Sequence, residues 1–134
     1  MFDYPQKVLF KHCDPAGIVF YPRYFEMIND CVEAFFADAL DWPFEELLKE
    51  AGVPTAEITT KFSAPSRHGD RLVLTLNITR LGRTSLGYSI TASCQNEQRF
   101  TTQATLVYVS LKGRATPWPS EITYKINHLL GEQI

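Results

Sequence analysis

One stretch of this chain restricts its fold more than any other. In residues 22 to 40, Tyr24, Met27, Ile28, Cys31, Val32, Phe35, Phe36 and Ala39 recur at spacings of three and four. That spacing lines one side of an α-helix with apolar groups. Pro22 suits the first turn of such a helix, because its fixed φ is already helical and its missing N–H is not needed there. So broad an apolar face has to be covered by a second apolar surface. The rest of the chain supplies one, because from residue 56 onward the apolar period changes to two. Ile58, Phe62 and Ala64 alternate with polar residues in 56 to 64, and Leu72, Leu74, Leu76 and Ile78 line one face of residues 71 to 81. Leu86, Tyr88, Ile90, Ala92 and Cys94 do the same for residues 84 to 94, and residues 99 to 111 form a last long strand.

The breaks fall at Arg67-His68-Gly69-Asp70, Gly82-Arg83 and Gln95-Asn96-Glu97-Gln98. Connections this short predict that consecutive strands are antiparallel neighbours, with His68-Gly69-Asp70 as a hairpin turn. Ahead of the helix, Val8 and Phe10 alternate with Lys7 and Lys11, which predicts a strand over residues 6 to 12. Residues 43 to 51, between Pro43 and Gly52, read as a short helix, and residues 121 to 131 as a terminal one. The class is α+β: a curved antiparallel sheet wrapped around one long helix satisfies every apolar face. With no internal repeat or linker, residues 1 to 134 read as a single domain.

Composition narrows the function classes. The net charge of -2 argues against a general electrostatic grip on nucleic acid. Cys13, Cys31 and Cys94 are odd in number and unpaired in spacing, which disfavours a disulfide framework or a zinc knuckle and favours a reducing cytoplasm. No run approaches the roughly 18 apolar residues that span a membrane. His12, His68 and His128 share no ligand spacing, so no metal is expected.

The chemistry concentrates in residues 12 to 25. Asp14 stands among small and apolar residues, with Pro15 and Gly17 breaking the chain and Pro22 restarting it as a helix. An Asp before a Pro commonly caps nearby backbone in a turn. A carboxylate beside a helix start is equally a plausible catalytic group, because the first N–H groups of the helix lack partners and favour negative charge. His12 and Cys13 are not a nucleophilic pair, since neighbours on an extended chain point to opposite sides. Ser85 lies in Gly-Arg-Thr-Ser-Leu-Gly, outside the Gly-x-Ser-x-Gly pattern of the serine hydrolases. Arg80, Arg83, Lys112 and Arg114 sit at or beyond strand ends, where solvated charge is the default. Arginines beside Thr84 and Ser85 also form a phosphate-binding pattern, through bidentate guanidinium hydrogen bonds.

Asp14-Pro15-Ala16-Gly17-Ile18-Val19-Phe20-Tyr21-Pro22-Arg23-Tyr24 closely resembles the signature of the 4-hydroxybenzoyl-CoA thioesterase family of hotdog-fold proteins. The order of elements matches over roughly residues 5 to 115. The resemblance implies hydrolysis of an acyl-CoA thioester without a metal or redox cofactor. It carries over Asp14 as the catalytic carboxylate, nucleophile or general base on water, and the backbone N–H of Tyr21 as the donor to the thioester carbonyl oxygen. It also implies a homodimer or homotetramer with active sites where subunits meet. Related hotdog branches often carry His where this chain has Tyr21-Pro22, which favours the hydroxybenzoyl-type branch. The expectation is therefore a cytoplasmic acyl-CoA thioesterase, with no nucleic acid or membrane partner. Arg83, then Arg80 and Arg114, with Thr84 and Ser85, are expected to hold the CoA phosphates. The alternative is a hotdog protein that binds acyl-CoA or acyl carrier protein without turnover. Hydratase chemistry needs a His and acid pair for which this chain lacks a suitably placed His.

Overall fold

The computed structural model describes residues 1–133. Helix α1 (Pro22–Asp38) buries Tyr24, Met27, Ile28, Cys31, Val32, Phe35 and Phe36. It lies against a five-stranded antiparallel sheet in the order β1-β4-β5-β6-β3, formed by β1 (Phe2–Lys7), β3 (Thr55–Phe62), β4 (Arg71–Leu81), β5 (Ser85–Cys94) and β6 (Glu97–Val107). The face of the sheet turned to the helix carries Leu72, Leu74, Leu76, Leu86, Ile90 and Phe100, each at most 2% exposed. The expected sheet around one helix is what forms, and its core holds most of the residues that the two periodicities mark in the helix and in β4 and β5; on β3, Ile58 and Phe62 are exposed instead, 39% and 49%.

The long strands β4, β5 and β6 are consecutive antiparallel neighbours, as expected. At the β5–β6 hairpin, Gln95 and Asn96 both adopt positive φ, the mirror-image turn that matches the twist of the flanking strands. The link from β3 to β4 departs from expectation. These strands lie apart in the sheet, β3 against β6 and β4 between β1 and β5. Residues 63 to 70 are thus a crossing segment, not a hairpin. Gly69 and Asp70 instead bond to Val8 through Gly69 N–H to Val8 O at 2.8 Å and Val8 N–H to Asp70 O at 2.8 Å.

The first strand is also displaced. β1 pairs with β4 from Phe2↔Leu76 to Lys7↔Arg71, on an edge where Pro5 needs no donor. The chain then leaves the sheet because Leu9 N–H donates to His12 Nδ1 at 2.9 Å, and Phe10–His12 close a 3-10 turn. The expected helix at 43–51 shrinks to α2 (Phe44–Leu47). Ala51–Gly52 (β2) pair with Val109–Ser110 (β7), which pulls the chain straight at that point. β6 correspondingly stops at Val107, and Tyr108 N–H turns to Thr84 O at 2.8 Å.

Helix α3 (Ser120–Gln133) packs on β4. Its Gln133 amide accepts from Ile78 N–H at 2.9 Å and donates to Ile78 O at 2.7 Å, continuing the ladder where β1 ends. Among the described residues, no helix is long and apolar enough to cross a membrane.

Candidate active site

Residues 13 to 19 fold back on themselves ahead of α1. Cys13 bridges Val19, Asp14 N–H donates to Ile18 O at 3.0 Å, and Gly17 N–H donates to Asp14 O at 2.9 Å. Gly17 has φ +81°, a left-handed conformation that costs a residue with a Cβ and costs glycine nothing. Within this tight turn Asp14 Oδ1 accepts Ala16 N–H at 2.9 Å. The backbone-capping reading of Asp14 is thus realised, and it fixes the side chain. Among the described residues its other oxygen, Oδ2, has no hydrogen-bond partner, and the residue is half-buried.

The start of α1 disposes of its N–H groups selectively. Phe20 N–H donates to His12 O at 2.9 Å, Arg23 N–H to Phe20 O at 2.8 Å and Tyr24 N–H to Tyr21 O at 3.1 Å. Pro22, at the first helical position, has none. Among the described residues this leaves Tyr21 N–H without an acceptor, at the positive end of a 17-residue helix. The Tyr21 ring is 58% exposed and meets Phe20 and Phe62 edge-on, with centroids 5.5 and 6.1 Å away.

An open groove of about 600 Å³ runs past this point, lined by Ile18, Val19, Tyr21, Tyr24, Phe62 and Pro65 among others. Phe62 stacks on Tyr24 at 5.7 Å, so the wall is aromatic. A second recess of about 300 Å³ lies along α1, bounded by Phe25, Ile28, Asn29, Val32, Ile58 and Tyr88 among others. Burial pushes the Tyr88 phenol up to about 12, which keeps it a neutral donor.

His12 is buried behind the turn. Its Nδ1 is occupied by Leu9 N–H, and desolvation lowers its pKa, so it is a neutral strut for the hairpin. Cys13 Sγ sits 3.6 Å from Leu9 O. Neither side chain has a nucleophile–base partner in the other.

The arginine cluster lies elsewhere. A bulge between Ile78 and Arg80 in β4 faces Gly87, where a Cβ would come within 2.8 Å of Thr79 Oγ1. Arg80 Nη1 thereby reaches Ser85 Oγ at 3.1 Å. The Arg83 turn is pinned by Trp118 N–H to Arg83 O at 3.1 Å and Tyr108 N–H to Thr84 O at 2.8 Å. Ala115, beside Arg114, bridges Val109. Arg80 and Ser85 are therefore brought together, with Thr84 and the exposed Arg83 in the same turn, while among the described residues no contact joins the exposed Arg114 to them.

This cluster does not meet the Asp14 turn within one chain. Phe62 lies in the row of Phe100, Ala92 and Leu74, while Leu81 ends the row of Leu86, Leu106 and Thr55. Seven residues separate Leu74 from Leu81, about 23 Å, and two to three strand spacings add about 12 Å across, giving about 26 Å.

The network that the sequence reading missed joins Ser66, Asp70 and Arg99. Arg99 Nη1 donates to Asp70 Oδ2 at 2.7 Å, to Ser66 Oγ at 3.2 Å and to Pro65 O at 3.2 Å. Arg67 N–H, with the Arg99 guanidinium beside it, holds the Asp70 carboxyl below its usual range. A lone arginine in a strand carries no sequence signal for this. Among the described residues, no three His, Cys, Asp or Glu side chains come together as a metal site.

Known proteins share this architecture. Residues 8–126 match the family described as the thioesterase-like superfamily. The gentisyl-coenzyme A thioesterase BH1999 superposes with a TM-score of 0.86 at 26% identity, over 92% of this chain and 98% of that one. The Synechocystis 1,4-dihydroxy-2-naphthoyl-CoA thioesterase Slr0204 gives 0.87 at 21% identity, over 96% of each chain. The Staphylococcus aureus protein SAV2348, whose structure holds CoA, gives 0.87 at 19% identity over 97% of this chain and 84% of that one. No curated protein matches by sequence. The family match covers the Asp14 turn, the long helix and the whole sheet beyond β1, and on that basis the chain belongs to the thioesterase-like superfamily, with the hotdog fold.

Proposed function

We propose that this chain hydrolyses an aromatic acyl-CoA thioester, with Asp14 as the catalytic carboxylate and Tyr21 N–H as the donor to the carbonyl oxygen. The observation that carries the reading is the disposal of N–H groups at the start of α1. Neighbouring donors are occupied or absent, and among the described residues Tyr21 N–H has no acceptor, in a residue that lines an apolar groove. As water or a carboxylate attacks the thioester carbon, its oxygen gains charge, and a fixed donor at a helix terminus stabilises that charge without reorganising.

Two routes lead to the same products. With Asp14 as general base, its carboxylate takes a proton from water while the water oxygen bonds to the acyl carbon. The tetrahedral species then expels the CoA thiolate, which picks up the proton. With Asp14 as nucleophile, its oxygen displaces the thiolate to form a mixed anhydride, and water then cleaves that anhydride. Both release a carboxylic acid and free CoA, and neither requires a cofactor. The Asx turn holds the carboxylate in place for either route.

An aromatic acyl group fits the ring-lined groove of Tyr21, Tyr24 and Phe62. The likeness to a gentisyl-CoA thioesterase and to a dihydroxynaphthoyl-CoA thioesterase supports the same class. The CoA-bound relative supports CoA as the carrier.

The site is completed by a second copy. From sulfur to the first phosphorus the CoA arm has roughly 13 bonds, the reach of about four extended residues or about 15 Å. That falls short of the distance from Tyr21 to the arginine cluster of the same chain. β3 is an edge strand with Ile58 and Phe62 exposed along it. Two-fold antiparallel pairing of β3 with its counterpart puts the Thr55 end of one strand beside the Phe62 end of the other. The partner subunit's Arg83 then falls in the row of Phe62, about 17 Å away by strand spacings, a gap that the CoA arm and the arginine side chain together span.

Release of free thiol from a panel of aromatic and aliphatic acyl-CoAs tests the reading. Asp14→Asn is expected to cut kcat by about 10²–10³-fold with folding intact. Turnover by Asp14→Asn at the native rate would refute the mechanism. Tight binding without thiol release by the native protein would make it a carrier of acyl-CoA or acyl carrier protein.

A further inference from the structure

The Asp14 hairpin depends on the crossing segment for its position. Its own hydrogen bonds are internal, closing the turn on itself. It is fastened to the rest of the protein by Val19 N–H to Ser66 O at 2.8 Å and by the bridge of Ile18 with Arg67. Ser66 and Arg67 belong to no strand of the sheet. What holds them is Arg99, 8% exposed, which donates to the wholly buried Ser66, and Asp70, which accepts Arg67 N–H.

The local backbone explains how an arginine comes to be there. In β6 the register with β5 jumps between Ala92↔Phe100 and Ser93↔Gln98, leaving Arg99 as the extra residue of a bulge. Bulges turn a side chain out of the alternating pattern, and they recur beside functional sites. This one sends the guanidinium to Pro65 O, Ser66 Oγ and Asp70 Oδ2, while Arg99 O accepts Ser63 N–H at 2.8 Å. Asp70 Oδ2 in turn accepts Arg67 N–H at 2.9 Å. The Nε atom is buried without a hydrogen bond, since Glu97 Oε1, 2.8 Å away, lies off its N–H axis. Burying a guanidinium is costly, and an apolar pair of the same volume commonly stabilises a fold as well. What the arginine adds is one buried cationic nitrogen, Nη1, that gathers the three oxygens it touches.

We propose that Arg99 and Asp70 are positioning residues, a buried clamp that fixes Ser66 and Arg67 and thereby holds the Asp14 turn in its catalytic geometry. This rests on the assignment of Asp14 and Tyr21 to the reaction. The clamp touches no substrate. It acts through Ser66 O on Val19 N–H, five residues along from Asp14.

Asp70→Asn tests it, because the amide oxygen still accepts from Arg67 N–H while the charge facing Arg99 is lost. Two measurements are made on the full chain. Amide hydrogen exchange is expected to quicken by about tenfold or more at Asp14, Gly17 and Val19, and to stay unchanged along the β5–β6 ladder. Steady-state kinetics are expected to show kcat down by about tenfold with KM within about twofold. In the Asp14→Asn background the same substitution is expected to change the residual rate by less than about twofold, since its effect passes through Asp14. Arg99→Met, which keeps an unbranched side chain and loses Nη1 and its charge, is expected to give the same pattern. Unchanged loop exchange, or an equal rate loss in both backgrounds, overturns the clamp. A native protein that releases no thiol refutes the Asp14 assignment instead, and loop exchange alone then decides the clamp.

Discussion

A site shared between two copies can be tested by mixing two defective proteins. In the proposed site Asp14→Asn removes the carboxylate and Arg83→Ala a phosphate contact, so neither variant alone would have an intact site. In a mixed dimer, one site combines Asp14 of the second variant with Arg83 of the first and is complete, while the other carries both defects. Random exchange of equal amounts makes about half the dimers mixed, so about a quarter of all sites are restored. A charge-assisted phosphate contact is worth about 1.5–3 kcal/mol, so Arg83→Ala alone retains at most about 10% of kcat/KM. The unmixed parents in equal parts then average about 5%. After subunit exchange, thiol release well below KM should rise to about 25% of the native value. A mixture that stays at the mean of its parents, with mixed dimers verified by native mass spectrometry, would refute the division of the site. The reasoning would fail at the arithmetic of strand spacings, which places the cluster about 26 Å from Phe62, the ring neighbour of Tyr21, in its own chain.

Two further outcomes follow from packing and charge. Phe36 is wholly buried between Phe35, Trp42 and Phe44, with ring centroids at 5.9, 6.4 and 5.4 Å. Phe36→Ala should cost about 3–5 kcal/mol in urea unfolding, and a loss under 1 kcal/mol would show that the cavity collapses. The pKa of Asp70 is depressed below its ordinary 3.8 by the Arg67 N–H and by Arg99. A depressed carboxyl stabilises the fold fully above its unfolded pKa, and that contribution disappears as pH falls through the folded one. The difference in thermal midpoint between the native protein and Asp70→Asn should therefore be largest near neutrality and shrink below about pH 4. A difference independent of pH would mean that the charge of Asp70 contributes nothing.

The helix and the long strands were legible because burial on one face imposes a period. α1 and β4 to β6 bury the residues that the three-and-four and two-residue spacings mark. The crossing from β3 to β4 was not legible, because Gly and Asp serve equally in a hairpin turn and in a loop that bonds to Val8. Nor was the end of β1, where one side-chain bond from Leu9 N–H to His12 Nδ1 accompanies the turn of the chain at residues 10 to 12. Local propensity does not register bonds of that kind. Arg99 was invisible for a related reason: alternation with Phe100 assigns it to the outer face of β6, and only the bulge shows that its side chain is buried.

The two readings of Asp14 turn out to be compatible. As a turn residue it accepts Ala16 N–H with one oxygen, which is the bland role that Asp before Pro ordinarily plays. That bond occupies half of the carboxylate and immobilises the rest. Among the described residues, the second oxygen is left without a protein partner. A carboxylate on a freely rotating side chain would have to be ordered at every turnover, at a cost in conformational entropy. Here the turn has already ordered it, Gly17 lets the turn close, and Pro22 leaves Tyr21 N–H as the open donor at the far end of the same hairpin. The features that make residues 14 to 22 a stable turn before a helix are thus the ones that would set an acid and a carbonyl donor for thioester attack.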